Sequence, residues 1–105
     1  MKTILLIDTS DNKHIKVGLR IDEKEDLLEQ PLDHRRAQVV LPFVEQLLQK
    51  HKLTLKDLTG IEVNAGPGSF TGLRVGVTIA NTLAYLLKIP VNGKEIGEMV
   101  EPSYT

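Results

Sequence analysis

A single mixed α/β domain with the element order β-β-β-α-β-α-β is predicted by three observations on this sequence. Residues 3–7 form an unbroken apolar, β-branched-rich run, and residues 14–21 alternate apolar with polar side chains, the marks of a central strand and a half-exposed one. Two long apolar-periodic stretches, around 36–50 and 71–87, carry a helical period and are separated by a short strand-like segment. The chain has 105 residues, 41% of them hydrophobic, so one core is affordable and a second full domain is not.

Each element has a local cause. The first strand, 3–7, is stopped by Asp8, Thr9 and Ser10 and is expected to be buried on both faces. In the second, Ile15, Val17, Leu19 and Ile21 alternate with polar residues, and Asp22-Glu23 supplies a turn. A third strand over 24–30 completes a meander, although its Glu, Asp and Lys content is poor strand material. Pro31 closes it, Asp33 serves as helix N-cap, and 36–50 reads as a helix that Pro42 weakens or bends. Its apolar residues Val39, Val40, Leu41, Phe43, Val44, Leu47 and Leu48 spread over roughly 200°, about twice the stripe that one buried face needs. A polar connection with Gly60 leads to a strand over 61–65 and the loop Gly66-Pro67-Gly68-Ser69. The second helix, 71–87, is stopped by Ile89-Pro90, after which Val91 begins a last strand. This order of strands and helices is the arrangement of the ribonuclease H-like and actin-like ATPase domains.

Composition narrows the function. Thirteen Lys and Arg stand against fourteen Asp and Glu, a net charge of -1, which argues against blanketing a nucleic-acid backbone unaided. The absence of cysteine excludes a disulfide scaffold, a thiolate metal site and a Cys nucleophile. His14, His34 and His51 are too far apart in sequence for a local metal motif, and no metal site is expected. The opening apolar run ends too early for a signal peptide, no segment is expected to span a membrane, and the default location is the cytoplasm.

The stretch Gly66-Pro67-Gly68-Ser69-Phe70-Thr71-Gly72 lies between a strand and a helix start, where backbone N–H groups and the positive helix end can hold an anion. Leu73 follows Gly72 where a P-loop needs Lys, and Thr71 stands where a dinucleotide fingerprint needs Gly. Gly66, Gly68, Ser69, Thr71 and Arg74 are therefore either an anion or composite nucleotide site or simply a tight turn with its caps. Gly72, Gly76, Ala80 and Ala84 make a stripe with almost no side chain, suited to close approach by another helix, either the chain's own or a partner's. The broad apolar arc of the first helix favours a partner. Between Val63 and Val91 only Arg74 and Lys88 are charged.

Asp8 ends the first strand where fold relatives place a metal-linked carboxylate, but Glu62 is thin company for two-metal chemistry, and an Asp there commonly caps a turn. His34, Arg35 and Arg36 form a basic knot at the first helix N-terminus, read as a solvated cluster. Ser69 lacks a nucleophile elbow.

The run Asn64-Ala65-Gly66-Pro67-Gly68-Ser69-Phe70-Thr71-Gly72-Leu73-Arg74-Val75-Gly76 resembles the signature of the TsaB family, as do the first strand through Ser10 and the helix containing Leu41-Pro42. The resemblance covers about residues 3–91. It implies an actin-like fold and a non-catalytic subunit that binds and activates TsaD, with the ATPase TsaE, for threonylcarbamoyl transfer to a tRNA adenosine. It also implies a TsaD contact and a homodimer that both use the first two helices in a four-helix arrangement. On this basis Arg36, Val40, Phe43, Val44 and Leu47, with Gly72, Gly76, Ala80 and Ala84, are the expected interface. No cofactor is expected on the chain alone, with ATP or ADP and Mg reserved for the shared interface; tRNA is met only through the complex, and neither DNA nor a membrane is a partner. Family chains are roughly twice as long, so residues 1–91 are expected to form the domain and 92–105 a short tail. The family often places His-Ser after the Arg near the first helix start, where Arg36-Ala37 stand here. The alternative class is an autonomous actin-like ATPase or a ribonuclease H-like metal-dependent nuclease.

Overall fold

Four strands and two helices build the domain in the computed structural model, which describes residues 1–11, 13–31 and 36–103, with residues 36 and 37 described by their backbone only. Strand β1 (Thr3–Asp8) is paired on both edges, antiparallel with β2 (His14–Ile21) and parallel with β4 (Gly60–Val63). Strand β3 (Lys24–Pro31) pairs antiparallel with β2, giving the sheet order β3-β2-β1-β4. Helix α1 (Arg36–Lys50) packs on β2, and helix α2 (Phe70–Leu87) on β1 and β4, so the expected α/β architecture is present.

Register decides which face the helices cover. Leu5 lies beside Leu19 and Ile61, and Ile7 beside Val17 and Val63; all six are buried. These positions meet Val40, Phe43, Val44, Leu47 and Leu48 of α1 and Val77, Ala80 and Ala84 of α2 in one core. On the opposite face Leu6 is half-buried, beside Gly18 and Glu62, and Leu27 is 54% exposed. The expectation that β1 is buried on both faces holds in part: both helices cover the Leu5 and Ile7 face, while on the other, shared with Lys16, Arg20 and Glu62, Ile4 is buried and Leu6 and Asp8 are half-buried. There Arg20 bonds Glu62 and lies 3.7 Å from Glu25.

The meander forms despite its charge. Asp26 on β3 ties that strand to the end of α1, with Lys50 Nζ and His51 Nε2 each 2.8 Å from its Oδ2. Helix α1 runs through Pro42 to Lys50, and residues 33–35, including the expected Asp33 cap and most of the basic knot, lie outside the described residues. A short 3-10 turn at Leu55–Asp57 occupies the polar connection.

The last expected strand is reduced to a single parallel bridge between Ile61 and Val91. Asn92 ends it: its φ is 51°, and its side chain replaces a backbone ladder by accepting from the Val63 N–H at 2.8 Å and donating to the Val63 carbonyl at 3.0 Å. The core continues past this point to Val100, which is 6% exposed. The expectation that no segment is long enough to span a membrane is corrected: by length and composition only, helix α2 is long and apolar enough to cross one. Its Gly72, Leu73, Gly76, Val77, Ala80 and Ala84 are packed inside the domain, as in a core helix.

Candidate functional site

The C-terminal ends of the parallel strands β1 and β4 and the start of α2 converge on one corner, the usual place for a ligand in an open α/β sheet. Asp8 Oδ1 accepts from the Ser10 N–H at 3.0 Å and from the Ser10 hydroxyl at 2.6 Å. The Asn64 side-chain amide donates to Asp8 Oδ2 at 3.3 Å and to Ser10 Oγ at 3.1 Å. Burial pushes the Asp8 carboxyl up, but hydrogen bonds from the Ser10 side chain and backbone and from Asn64, with the Lys16 charge, outweigh it and hold the group below the usual carboxylate range. Asp8 is therefore an anion whose two oxygens are engaged by its own turn and by Asn64. Among the described residues no group of three His, Asp or Glu side chains is placed to hold a metal ion.

The glycine loop is pressed onto this turn. The Ser69 N–H donates to the Ser10 carbonyl at 2.9 Å, and a Cβ on Gly68 would stand 2.7 Å from Ser10 Cβ. Ser69 caps α2, its hydroxyl accepting from the Gly72 N–H at 3.3 Å, while the Ser69 carbonyl accepts from the Leu73 N–H at 2.8 Å. The Gly66 N–H donates to Asn64 Oδ1 at 3.0 Å. Gly66, Gly68, Ser69 and Thr71 lie together at this corner, where the Gly66, Ser69 and Gly72 N–H groups are taken up by Asn64, Ser10 and Ser69. Arg74 points along α2, its guanidinium 5.5 Å from the centre of the Phe70 ring.

Most of the residues expected at an interface are packed inside the single chain. A Cβ on Gly76 would stand 2.4 Å from Thr9 Oγ1 and 3.5 Å from Ile7, and the Thr9 hydroxyl donates to the Gly72 carbonyl at 2.5 Å. The small-residue stripe thus lets α2 approach β1 of its own domain; Ala80 and Ala84 are buried with it. Val40, Phe43, Val44 and Leu47 are likewise buried in the core of the single chain. Arg36 starts α1, and its side chain lies outside the described residues. The surface left on α2 includes Phe70, Thr71, Arg74, Thr78, Thr82, Tyr85 and Leu86, with half-buried Val75, Ile79 and Leu83 beside them. Phe70, Tyr85 and Leu86 are its most exposed large apolar residues; Phe70, Thr71, Arg74, Val75, Thr78 and Ile79 are the part nearest the helix start. Six of these residues line a shallow groove of about 350 Å³, and on α1 the apolar Leu41 is 43% exposed. Sequence reasoning missed Asn64 as the link between Asp8 and the loop; its place at the end of the strand parallel to β1 was the available signal.

A ribonuclease H-like, actin-like α/β half-domain, whose strand-end Asp is held in a closed polar turn, is the class of protein defined by this fold and corner. A family model for TsaD, tRNA N6-adenosine threonylcarbamoyltransferase, matches residues 32–94, and the chain belongs to that family, with its curated relatives being TsaB proteins. The tRNA threonylcarbamoyladenosine biosynthesis protein TsaB of Buchnera aphidicola subsp. Schizaphis graminum is 37% identical over 86% of this chain and 42% of its own length. The TsaB of Bacillus subtilis (strain 168) is 31% identical over 97% of this chain and 49% of its own. Among solved structures, YeaZ from Pseudomonas aeruginosa superposes with a TM-score of 0.82 at 30% identity, covering 90% of this chain and 44% of that one. The chain spans somewhat less than half the length of these relatives.

Proposed function

We propose that this chain is a non-catalytic partner subunit in tRNA threonylcarbamoyladenosine biosynthesis, binding and activating a TsaD protein in the cytoplasm, with TsaE as a further component. The observation that carries this reading is the outer face of α2. After the core is complete, Phe70, Val75, Ile79 and Leu83 still present apolar surface, with Arg74 as the sole charge from the start of the helix to its end. An exposed apolar helix face of this kind suits a protein contact. The same face, with Leu41 of α1, serves a homodimer of the chain alone, exchanged for TsaD when that protein is present. The closed hydrogen bonding around Asp8 supports a structural carboxylate. The neutral charge balance supports contact with tRNA through the complex.

Reconstitution tests this function. Adding the chain to TsaD and TsaE is expected to raise threonylcarbamoyl incorporation into tRNA, and Asp8→Asn is expected to retain most of that stimulation. ATP or nucleic-acid turnover by the purified chain alone, abolished by Asp8→Asn, would replace this reading with that of an autonomous enzyme.

A further inference from the structure

Residues 92–103 leave the outer edge of β4 and return along α2 to the 64–69 corner. Their first part is a pair of turns closed by the Lys94 N–H to the Val91 carbonyl at 3.1 Å and the Glu98 N–H to the Glu95 carbonyl at 3.0 Å: Asn92, Gly93 and Gly97 have φ of 51°, 72° and 98°, and a Cβ on either glycine would meet nothing within 4 Å. Residues 92–99 are exposed throughout, with Ile96 and Met99 pointing outward. Docking resumes at Val100. Its N–H donates to Asn81 Oδ1 at 2.9 Å and its carbonyl accepts from Asn81 Nδ2 at 2.8 Å, so one amide on α2 holds Val100 as a neighbouring strand would. Three residues on, the Ser103 N–H donates to the Ala65 carbonyl at 2.6 Å. Gly66 is where the two segments touch: a Cβ there would stand 1.8 Å from the Ser103 carbonyl oxygen, and its φ is 131°.

The corner is therefore braced from two sides. On one, Asn64 holds Gly66, Ser10 and Asp8, and Ser69 holds Ser10. On the other stands the 100–103 segment. We propose that residues 100–103 are a latch whose docking sets the conformation of the 64–69 corner, coupling the end of the described chain to the Asp8–Ser10–Asn64 cluster. Releasing the latch removes the donor from the Ala65 carbonyl and opens the space beside Gly66, a residue with no Cβ to restrict its backbone. Coupling of this kind is reciprocal, so a change at the corner releases the latch in turn. A partner that captures the exposed 92–99 stretch would loosen the corner without touching it. The inference does not depend on the proposed partnership with TsaD.

Amide hydrogen exchange on the full chain tests it with two variants. Ser103→Pro deletes one donor at an exposed end of the segment, and Asn81→Ala deletes both bonds to Val100. Each is expected to speed exchange of the Gly66 and Ser69 N–H groups roughly tenfold, with β1 and β2 amides at wild-type rates. Gly66→Ala is expected to speed exchange at Val100. Faster exchange at Val100 in Asn81→Ala with Gly66 and Ser69 unchanged would overturn the coupling, as would an unresponsive corner in Ser103→Pro. If Asn81→Ala opens the whole sheet, Ser103→Pro decides alone.

Discussion

Gly76 sets two effects of similar size against each other. Glycine inside a helix costs about 1 kcal/mol relative to alanine, so Gly76→Ala gains that much in propensity. The added Cβ would stand 2.4 Å from Thr9 Oγ1, whose hydroxyl is committed to the Gly72 carbonyl, and overpacking of that kind costs about 1 to 3 kcal/mol. Packing wins, and urea unfolding of Gly76→Ala is expected to show a net loss of stability; an unchanged or higher midpoint would show that Thr9 yields freely. Asp8 gives a prediction in pH. Its folded value is lowered, so its contribution is present above the unfolded carboxylate value and is lost as pH falls through the folded one. Unfolding midpoints of the wild type are expected to drop below about pH 4, and those of Asp8→Asn, lower at neutral pH, to fall less steeply over the same range.

At the scale of elements, α1 and α2 divide into a core face and an outer face that the sequence could not separate. Ala80→Trp is expected to unfold the domain, because Ala80 is 0% exposed against its own sheet. Thr78→Glu, two residues away on the outer face, is expected to leave stability within about 0.5 kcal/mol and to weaken self-association, read by sedimentation. The strands, both helices and the crowded loop were legible because their signals are local: alternation in 14–21, the Ser69 cap, the Pro90 stop. The partner of the Gly72–Gly76 stripe was not, since a stripe of small residues fits any close surface and only the tertiary fold names Thr9 and Ile7. The broad arc of α1 was open to two readings for the same reason. Its apolar residues meet both β2 and α2, and two internal neighbours need a wider stripe than one. Asn81 and Asn92 carry no sequence signal, because an Asn that replaces a backbone ladder looks like any polar residue until its partner strand is placed.

For the whole molecule, the central claim is that function resides in the outer α2 face and that the Asp8 corner is structural. The domain has its core on one side of its sheet and an exposed apolar face on α2 outside that core, so association is the chemistry its surface supports best. Sedimentation velocity of the chain mixed with a TsaD protein, run for wild type, Thr78→Glu and Asp8→Asn, tests this most directly. The account predicts a complex with wild type and with Asp8→Asn, and its loss with Thr78→Glu. A TsaD complex that survives Thr78→Glu and dissolves with Asp8→Asn, or no complex at all, would contradict it.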